Sequence, residues 1–446
     1  MLCSEPPRLP TELIELIIDE VPDLPHASSY SRILTFSAIA CVSHLFRQCA
    51  NKHRFTSVAF QRQPLVTRAR LFLDLLQSNI WTDHDGISYH IKNLSLGVAV
   101  RRGEGNGLTL HPALVDGTMS SIIREVFREN PTRRTVGNQL ILSTHIHQRL
   151  SAINANELHG FDWTLLPSEF VGVVQNLCHG SNLTSLHLQW FTNIPNNWLS
   201  SSAIKRLRLD QAHFSAEQLV HASAPFPALE ILEMCNSCSF IESMSQANND
   251  FDDMKMLDYT IESPRDAYAF TKVVRKAPRL ETLRLHIGCK SASAIPVGFI
   301  NRNTLPTLTS LTMTFSFYHT PYRREQRPIS EHAIDILKGD FPPLNHLHIV
   351  FENDRTYTPQ TASNSVTHCL QLLDPSAMGT LVAMSAPNPL TNLTVQLNVL
   401  LRMAQADEFA PGIFEEEGAT RLHQFFSVTE ALQRTRFQTL VAVKEY

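Results

Sequence analysis

One short pattern recurs through the second half of the chain: an apolar residue, two variable residues, an apolar residue, one variable residue, and a third apolar residue. It appears as NLTSLHLQW, AIKRLRLDQ, ALEILEMCN, DMKMLDYTI, RLETLRLHI, TLTSLTMTF, PLNHLHIVF and PLTNLTVQL. The first apolar positions are Leu183, Ile204, Leu229, Met254, Leu280, Leu308, Leu344 and Leu390, giving successive spacings of 21, 25, 25, 26, 28, 36 and 46 residues. Self-similarity at a period of about 20 to 29 residues marks a stack of small units, none of which can bury its apolar face alone. LHGFDW from Leu158 extends the series backwards by 25 residues, and IKNLSLGVA from Ile91 fits the same template.

The segments between the copies are helical in pattern. PSEFVGVVQNLC, SAEQLVHA, SPRDAYAFTKVVRKA and SEHAIDILKG carry apolar residues three and four apart, usually with Ser or Pro at the start. Pro227, Pro278, Pro306 and Pro342 each stand two residues before a first apolar position, where proline ends one element and sets an extended start for the next. Strands joined by helix-sized crossovers run parallel. The expected fold class is therefore α/β: a leucine-rich-repeat-like solenoid with a parallel inner sheet, outer helices, and insertions after Leu308. SVTEALQRTRF near the end reads as an amphipathic helix capping the last repeat. The expected division is 1–60 helical, 61–150 linker helices and irregular first repeats, and 151–446 solenoid.

Side chains alternate along a strand, so if the template's leucines face the core, the residues between them face the concavity. That places Arg206, Arg208 and Asp210 on one repeat, and Glu233 and Asp258 on the next two. Arg284 and His286 fall on the fifth, His346 and His348 on the seventh. These are the candidate substrate-binding residues, on a long surface suited to an extended protein partner.

Few other functions survive the sequence. The formal net charge is −4, which gives no electrostatic footprint for nucleic acid. Acids interrupt the opening helix where a secretory signal would be continuously apolar, and no stretch is apolar enough to span a membrane, so an intracellular protein of cytoplasm or nucleus is expected. The eight cysteines then read as reduced thiols. Cys235 and Cys238 form a single CNSC pair, whereas a structural zinc takes four ligands. RRGEGNG at Arg101 to Gly107 lacks the final glycine of a dinucleotide fingerprint and the Lys-Ser/Thr of a phosphate loop, and reads as a connecting loop. Neither a Gly-x-Ser-x-Gly elbow nor a His-Glu-x-x-His helix occurs. No catalytic residue, metal or cofactor is expected.

The chain opens with RLPTELIELIIDEV. On a helix, Leu13, Ile14, Ile17, Ile18 and Val21 fall within an arc of about 140°, opposite Glu12, Glu15 and Asp19. So short a helix needs that arc covered. After a break at HASSYSRI, LTFSAIACVSHLFRQCANKHRFTSVAF adds a second helical run and a short extended piece. This arrangement resembles the F-box over roughly Arg8 to Phe60. Leu9, Pro10, Glu12, Leu13, Ile14, Ile17 and Ile18 match in the first helix, and Val42, Ser43, Phe46 and Arg47 follow, with Ser43 and Phe46 departing from the family's usual Cys and Trp.

The resemblance, strengthened by repeats in tandem, implies a substrate-recognition subunit of a cullin-type ubiquitin ligase. The F-box would grip the ligase's adaptor subunit through Leu9, Pro10, Leu13, Ile14, Ile17, Ile18, Val42 and Phe46, and the repeats would hold a substrate protein. Other subunits would do the chemistry. A helical cap on an adaptor-independent repeat scaffold needs an apolar inner side just as much, so apolarity alone does not choose between them.

Overall fold

The computed structural model describes residues 13–14, 17–18, 29–60, 66–78, 87–101, 108–128, 138–144, 160–180, 183–215, 228–246, 251–288, 291–317, 329–357, 392–401 and 436–445, with a few isolated positions between 380 and 424. The chain divides into two compact units, Met1–Ile194 with Ser201–Ile204, and Pro195–Ser200 with Lys205–Tyr446.

In the first unit, Leu13, Ile14, Ile17 and Ile18 are the described residues of an opening helix, and helices α1 (Ser29–Ile39) and α2 (His44–Arg54) follow. Ser43 caps α2 by accepting from the Phe46 N–H at 3.3 Å, and Arg47 Nε donates to the Ala40 carbonyl at 3.1 Å, which ties the new helix to the end of the old one. Next come β1 (Ser57–Phe60), α3 (Val66–Gln77), α4 (Ile87–His90), β2 (Asn93–Arg101), β3 (Leu108–Leu110), α5 (Pro112–Val115) and α6 (Thr118–Val126). β4 (Gln139–Thr144), β5 (Phe161–Asp162), α7 (Ser168–His179) and β6 (Ser185–Ile194) complete it.

Its sheet runs β1-β2-β4-β6, all parallel, with β3 antiparallel on β2. Val58, Leu94, Leu140 and Leu186 share one rung, so the template already operates at β1, where Phe55, Val58 and Phe60 supply its apolar positions. Arg101 ends β2, and residues 102–107, the rest of the segment read as a connecting loop, lie outside the described residues. Leu158 also lies outside the described residues. The following β5 pairs with the far end of β6, Phe161 with Phe191, and Gly160 lets it approach because a Cβ there would lie 3.0 Å from the Trp190 carbonyl.

The second unit contains β7 (Arg206–Phe214), β8 (Ile231–Cys235), α8 (Cys238–Gln246), β9 (Met256–Ile261), α9 (Pro264–Arg275), β10 (Thr282–Gly288), β11 (Ser310–Phe317) and α10 (Ile329–Leu337). It ends with β12 (His346–Tyr357), β13 (Asn392–Leu401) and β14 (Arg436–Glu445). Each strand pairs in parallel with the next in sequence. Residues 436–445 are thus a strand, although the sequence assigns Arg436 and Phe437 to the closing helix, the rest of which, 427–435, lies outside the described residues. The aliphatic run in TLVAV outweighs the helical pattern before it. SAEQLVHA lies mostly outside the described residues.

The core is the template's. Leu207, Leu232, Leu257, Leu283, Leu311 and Leu347 fill one continuous row and are all at most 1% exposed, each contributing up to about 1.5–3 kcal/mol of burial. Helix α9 covers that side through Phe270, whose ring lies 5.6 Å from that of Tyr259 on β9. Its start is fixed by a reciprocal cap, with Ser263 Oγ accepting from the Asp266 N–H at 3.2 Å and Asp266 accepting from the Ser263 N–H at 2.9 Å. The other face of the sheet, turned away from the helices, carries the variable positions.

Candidate interaction surfaces

In the first unit the opening helix splits its apolar residues two ways. Ile14 and Ile18 are buried at 9% and 2% exposure in a core with Phe36, Ala40, Cys49 and Ala50, against which Ile39, Leu45 and Phe46 pack. Leu13 and Ile17 are one turn apart on the same helix, and are 47% and 59% exposed. Leu34 and Val42 add exposed apolar side chains from α1 and from the turn before α2. Phe46 is half-buried on the bundle's core, so its ring is largely committed within the chain. Leu9 and Pro10 lie outside the described residues.

In the second unit the nine residues assigned to the concavity all fall on the non-core face, but not all are open. Arg208, Glu233, Asp258 and Arg284 occupy one rung across β7, β8, β9 and β10. Glu233 is 9% exposed because two arginines close over it: Arg206 donates to one carboxylate oxygen, and Arg208 Nη1 lies 3.6 Å from the other. Arg208 Nε also donates to Asp210 at 3.1 Å. Glu233 thus lies on the variable face with its carboxylate covered by this clamp.

Further along, His286 Nε2 lies 3.2 Å from Asp258 Oδ1. His346 Nδ1 meets Asn392 Nδ2 at 3.0 Å, and His348 Nε2 meets Gln396 Oε1 at 3.1 Å. His348 is partly buried, and His187, at the same template position on β6, is largely buried. Burial lowers the His348 pKa below the ordinary imidazole value, against the raising effect of the Gln396 bond. Gln396 continues to Asn398 at 2.7 Å, and Asn398 to Glu352 at 3.3 Å. Arg284 is exposed and makes no ion pair among the described residues.

The CNSC segment ends β8. Asn236 takes a left-handed backbone (φ 48°), as Gln211 does after β7's last core leucine (φ 52°). Ser237 is then buried, and its Oγ accepts from the Ala212 N–H at 3.0 Å while bonding the Leu209 and Cys235 carbonyls. Burial pushes the Cys235 thiol up to about 12 and the Cys238 thiol up to about 11, which leaves both protonated and poorly nucleophilic at neutral pH. Among the described residues, no group of three or more His, Cys, Asp or Glu is placed to hold a metal ion, and no helix is long and apolar enough to cross a membrane.

The charged rung was within reach of the sequence. Arg208, Glu233, Asp258 and Arg284 share the position between the template's second and third apolar residues, and equal template positions become neighbours in a parallel stack. The clamp of Arg206 onto Glu233 runs diagonally, from a position in register with Ile231, and needs side-chain geometry to be seen. Compared with protein-family models and with curated proteins, the chain matches none.

Proposed function

We propose that the chain is the substrate-recognition subunit of a cullin-type ubiquitin ligase: its N-terminal bundle docks on the adaptor subunit and its repeat sheet holds a protein substrate, inside the cell and without catalysis of its own. The observation that carries this reading is the division within one helix, in which Ile14 and Ile18 complete the bundle while Leu13 and Ile17 face outward. A helix acting only as a cap has no use for the second pair. A docking helix needs both sets, one to hold its place and one to offer. The sheet's polar face supports the other half of the reading, because parallel strands set in register offer a row of side chains at about 4.8 Å intervals to an extended partner.

Coexpression with the adaptor, followed by pull-down, tests it. Leu13→Asp with Ile17→Asp places unpaired charges in the docking surface, at a cost of several kcal/mol to binding, while sparing the bundle's own core. The wild-type chain should retain the adaptor and the double variant should lose it with its circular dichroism unchanged. A wild-type chain that does not bind, or a folded double variant that binds at wild-type strength, rules the reading out in favour of an adaptor-independent scaffold.

A further inference from the structure

The strand that ends the second unit's sheet is long and open along one side. β14 pairs with β13 through all of Arg436 to Glu445, and nothing among the described residues pairs with its other edge. β1, at the opposite end of the strand order, has only four residues. Sheet edges are ordinarily protected by shortness, a proline, a bulge or a charge in mid-strand. β14 has none of these protections. Its register with β13 is unbroken, and FQTLVAV, Phe437 to Val443, contains neither proline nor charge.

Which of its backbone groups are open follows from the ladder. The first paired residue of each strand donates its N–H to the strand before it: Met256 to Glu230, Thr282 to Lys255, Ser310 to Glu281, His346 to Thr309 and Asn392 to Asn345. Asn392 is in register with Arg436. By the same alternation Arg436, Gln438, Leu440, Ala442 and Lys444 bond β13, while Phe437, Thr439, Val441, Val443 and Glu445 turn their N–H and C=O groups outward.

We infer that β14 is a dimerisation strand, pairing antiparallel with β14 of a second copy of this chain about a two-fold axis at Val441. Opposed residues of an antiparallel pair share a sheet face, so a two-fold relation sets odd-numbered positions against odd and even against even. Centring the pair on Val441 opposes Phe437 to Glu445 and Thr439 to Val443, and every outward N–H and C=O of both strands finds a partner. Centring it on Leu440 leaves Glu445 unpaired and sets Arg436 against Lys444, like charge on like. In the Val441 register Lys444 stands opposite Gln438 instead. Full pairing and separation of the cations select the same register, in which the strand is its own complement. A head-to-tail arrangement, β14 against β1 of the next copy, would match only four residues and run on without closing. The two-fold pair closes. Dimerisation through β14 is independent of adaptor docking, which the pull-down tests separately.

Sedimentation equilibrium of the full chain between about 1 and 100 µM tests it, since a single strand pair is smaller than a standard interface and suits association in that range. The wild type should move from 50.3 kDa to a plateau at twice that mass. Val441→Pro removes the central outward N–H while sparing the bonds to β13, and should weaken association about tenfold or more. Gln438→Lys sets a second cation opposite Lys444 and should weaken it several-fold, whereas Gln438→Lys with Lys444→Glu should restore it. Circular dichroism matching the wild type qualifies each variant, and if the proline variant misfolds the two charge variants decide alone. A wild type that stays at 50.3 kDa throughout, a mass that climbs past the dimer without a plateau, a folded Val441→Pro that dimerises like the wild type, or charge variants that associate equally well overturns the inference.

Discussion

Arg206 on β7 donates to Glu233 on β8, crossing the sheet diagonally, and with Arg208 it encloses a carboxylate that is nearly out of water. The arginine side chains themselves remain 48% and 46% exposed. Exposed ion pairs contribute little, but a buried charge stripped of its partners is costly. Arg206→Glu with Arg208→Glu is therefore expected to destabilise the second unit by about 1–3 kcal/mol, between those two limits. Adding Glu233→Gln should recover most of the loss. Urea denaturation midpoints across this cycle measure it, and a double variant that melts like the wild type would show that Glu233 is solvated without its arginines.

The opening helix makes a second contrast that needs no partner protein. Ile18 is buried and Ile17, its neighbour in sequence, is exposed. Ile18→Ala should cost about 2–5 kcal/mol of local stability and Ile17→Ala about 0.5 kcal/mol or less. Cys49 reports on this directly, because it lies in the same core at 8% exposure. Peptide-resolved maleimide labelling of Cys49 should accelerate strongly in the Ile18 variant and hardly at all in the Ile17 variant. Equal rates would mean that the helix does not close this core.

The extent to which the sequence revealed these features follows from what each depends on. Period and alternation depend on burial, so Leu207, Leu232, Leu257, Leu283, Leu311 and Leu347 are legible as one row. β4 escapes because Gly137 stands where the template wants its first apolar residue, and β1 is hidden by running directly on from a helix. Phe161 and Asp162 of LHGFDW pair with Phe191 and Thr192, beyond the core rung of β6, a matter of register that composition does not encode. On the polar face, residue type locates Glu233 and Arg206 without saying which reaches which. The split between Ile14 and Leu13 is likewise invisible in a hydrophobic arc, since both are apolar and only the position of α1 and α2 decides which is covered.

His111 gives the first unit a dependence on pH. Its ring is 2% exposed and caps α5, with Nδ1 accepting from the Ala113 N–H at 3.1 Å. Burial lowers its pKa from the usual 6.5, opposed by the nearby Asp116. The folded chain thus prefers the neutral ring, and protonation both charges a buried group and removes the cap's acceptor. The stabilising effect is complete above the unfolded value of about 6.5 and declines as pH falls below it, towards the lower folded value. Urea midpoints should drop between pH 7.5 and 5.5 by more in the wild type than in His111→Asn, which keeps a capping oxygen and does not titrate. Identical pH profiles would remove His111 as the cause.

The last expectation concerns dependence between neighbouring repeats. β8 and β9 pair in parallel, and Lys255 and Met256 N–H groups both donate to the Glu230 carbonyl, at 2.9 and 3.1 Å. Their buried rows are continuous, with Leu232 beside Leu257 and Met234 beside Tyr259. Dividing the chain between Leu229 and Met254 disrupts β8's junction with β9 and bares the core side chains of both. An open hydrophobic edge of this kind pairs readily with other chains. The two fragments should therefore aggregate when expressed singly and regain solubility when coexpressed, as stacked repeats stabilise one another through their interfaces. Light scattering on the separate and coexpressed fragments decides it. Fragments that each remain monomeric and unfold cooperatively would place an independent folding boundary inside the second unit, and the repeats on either side of it would have to be counted as self-sufficient.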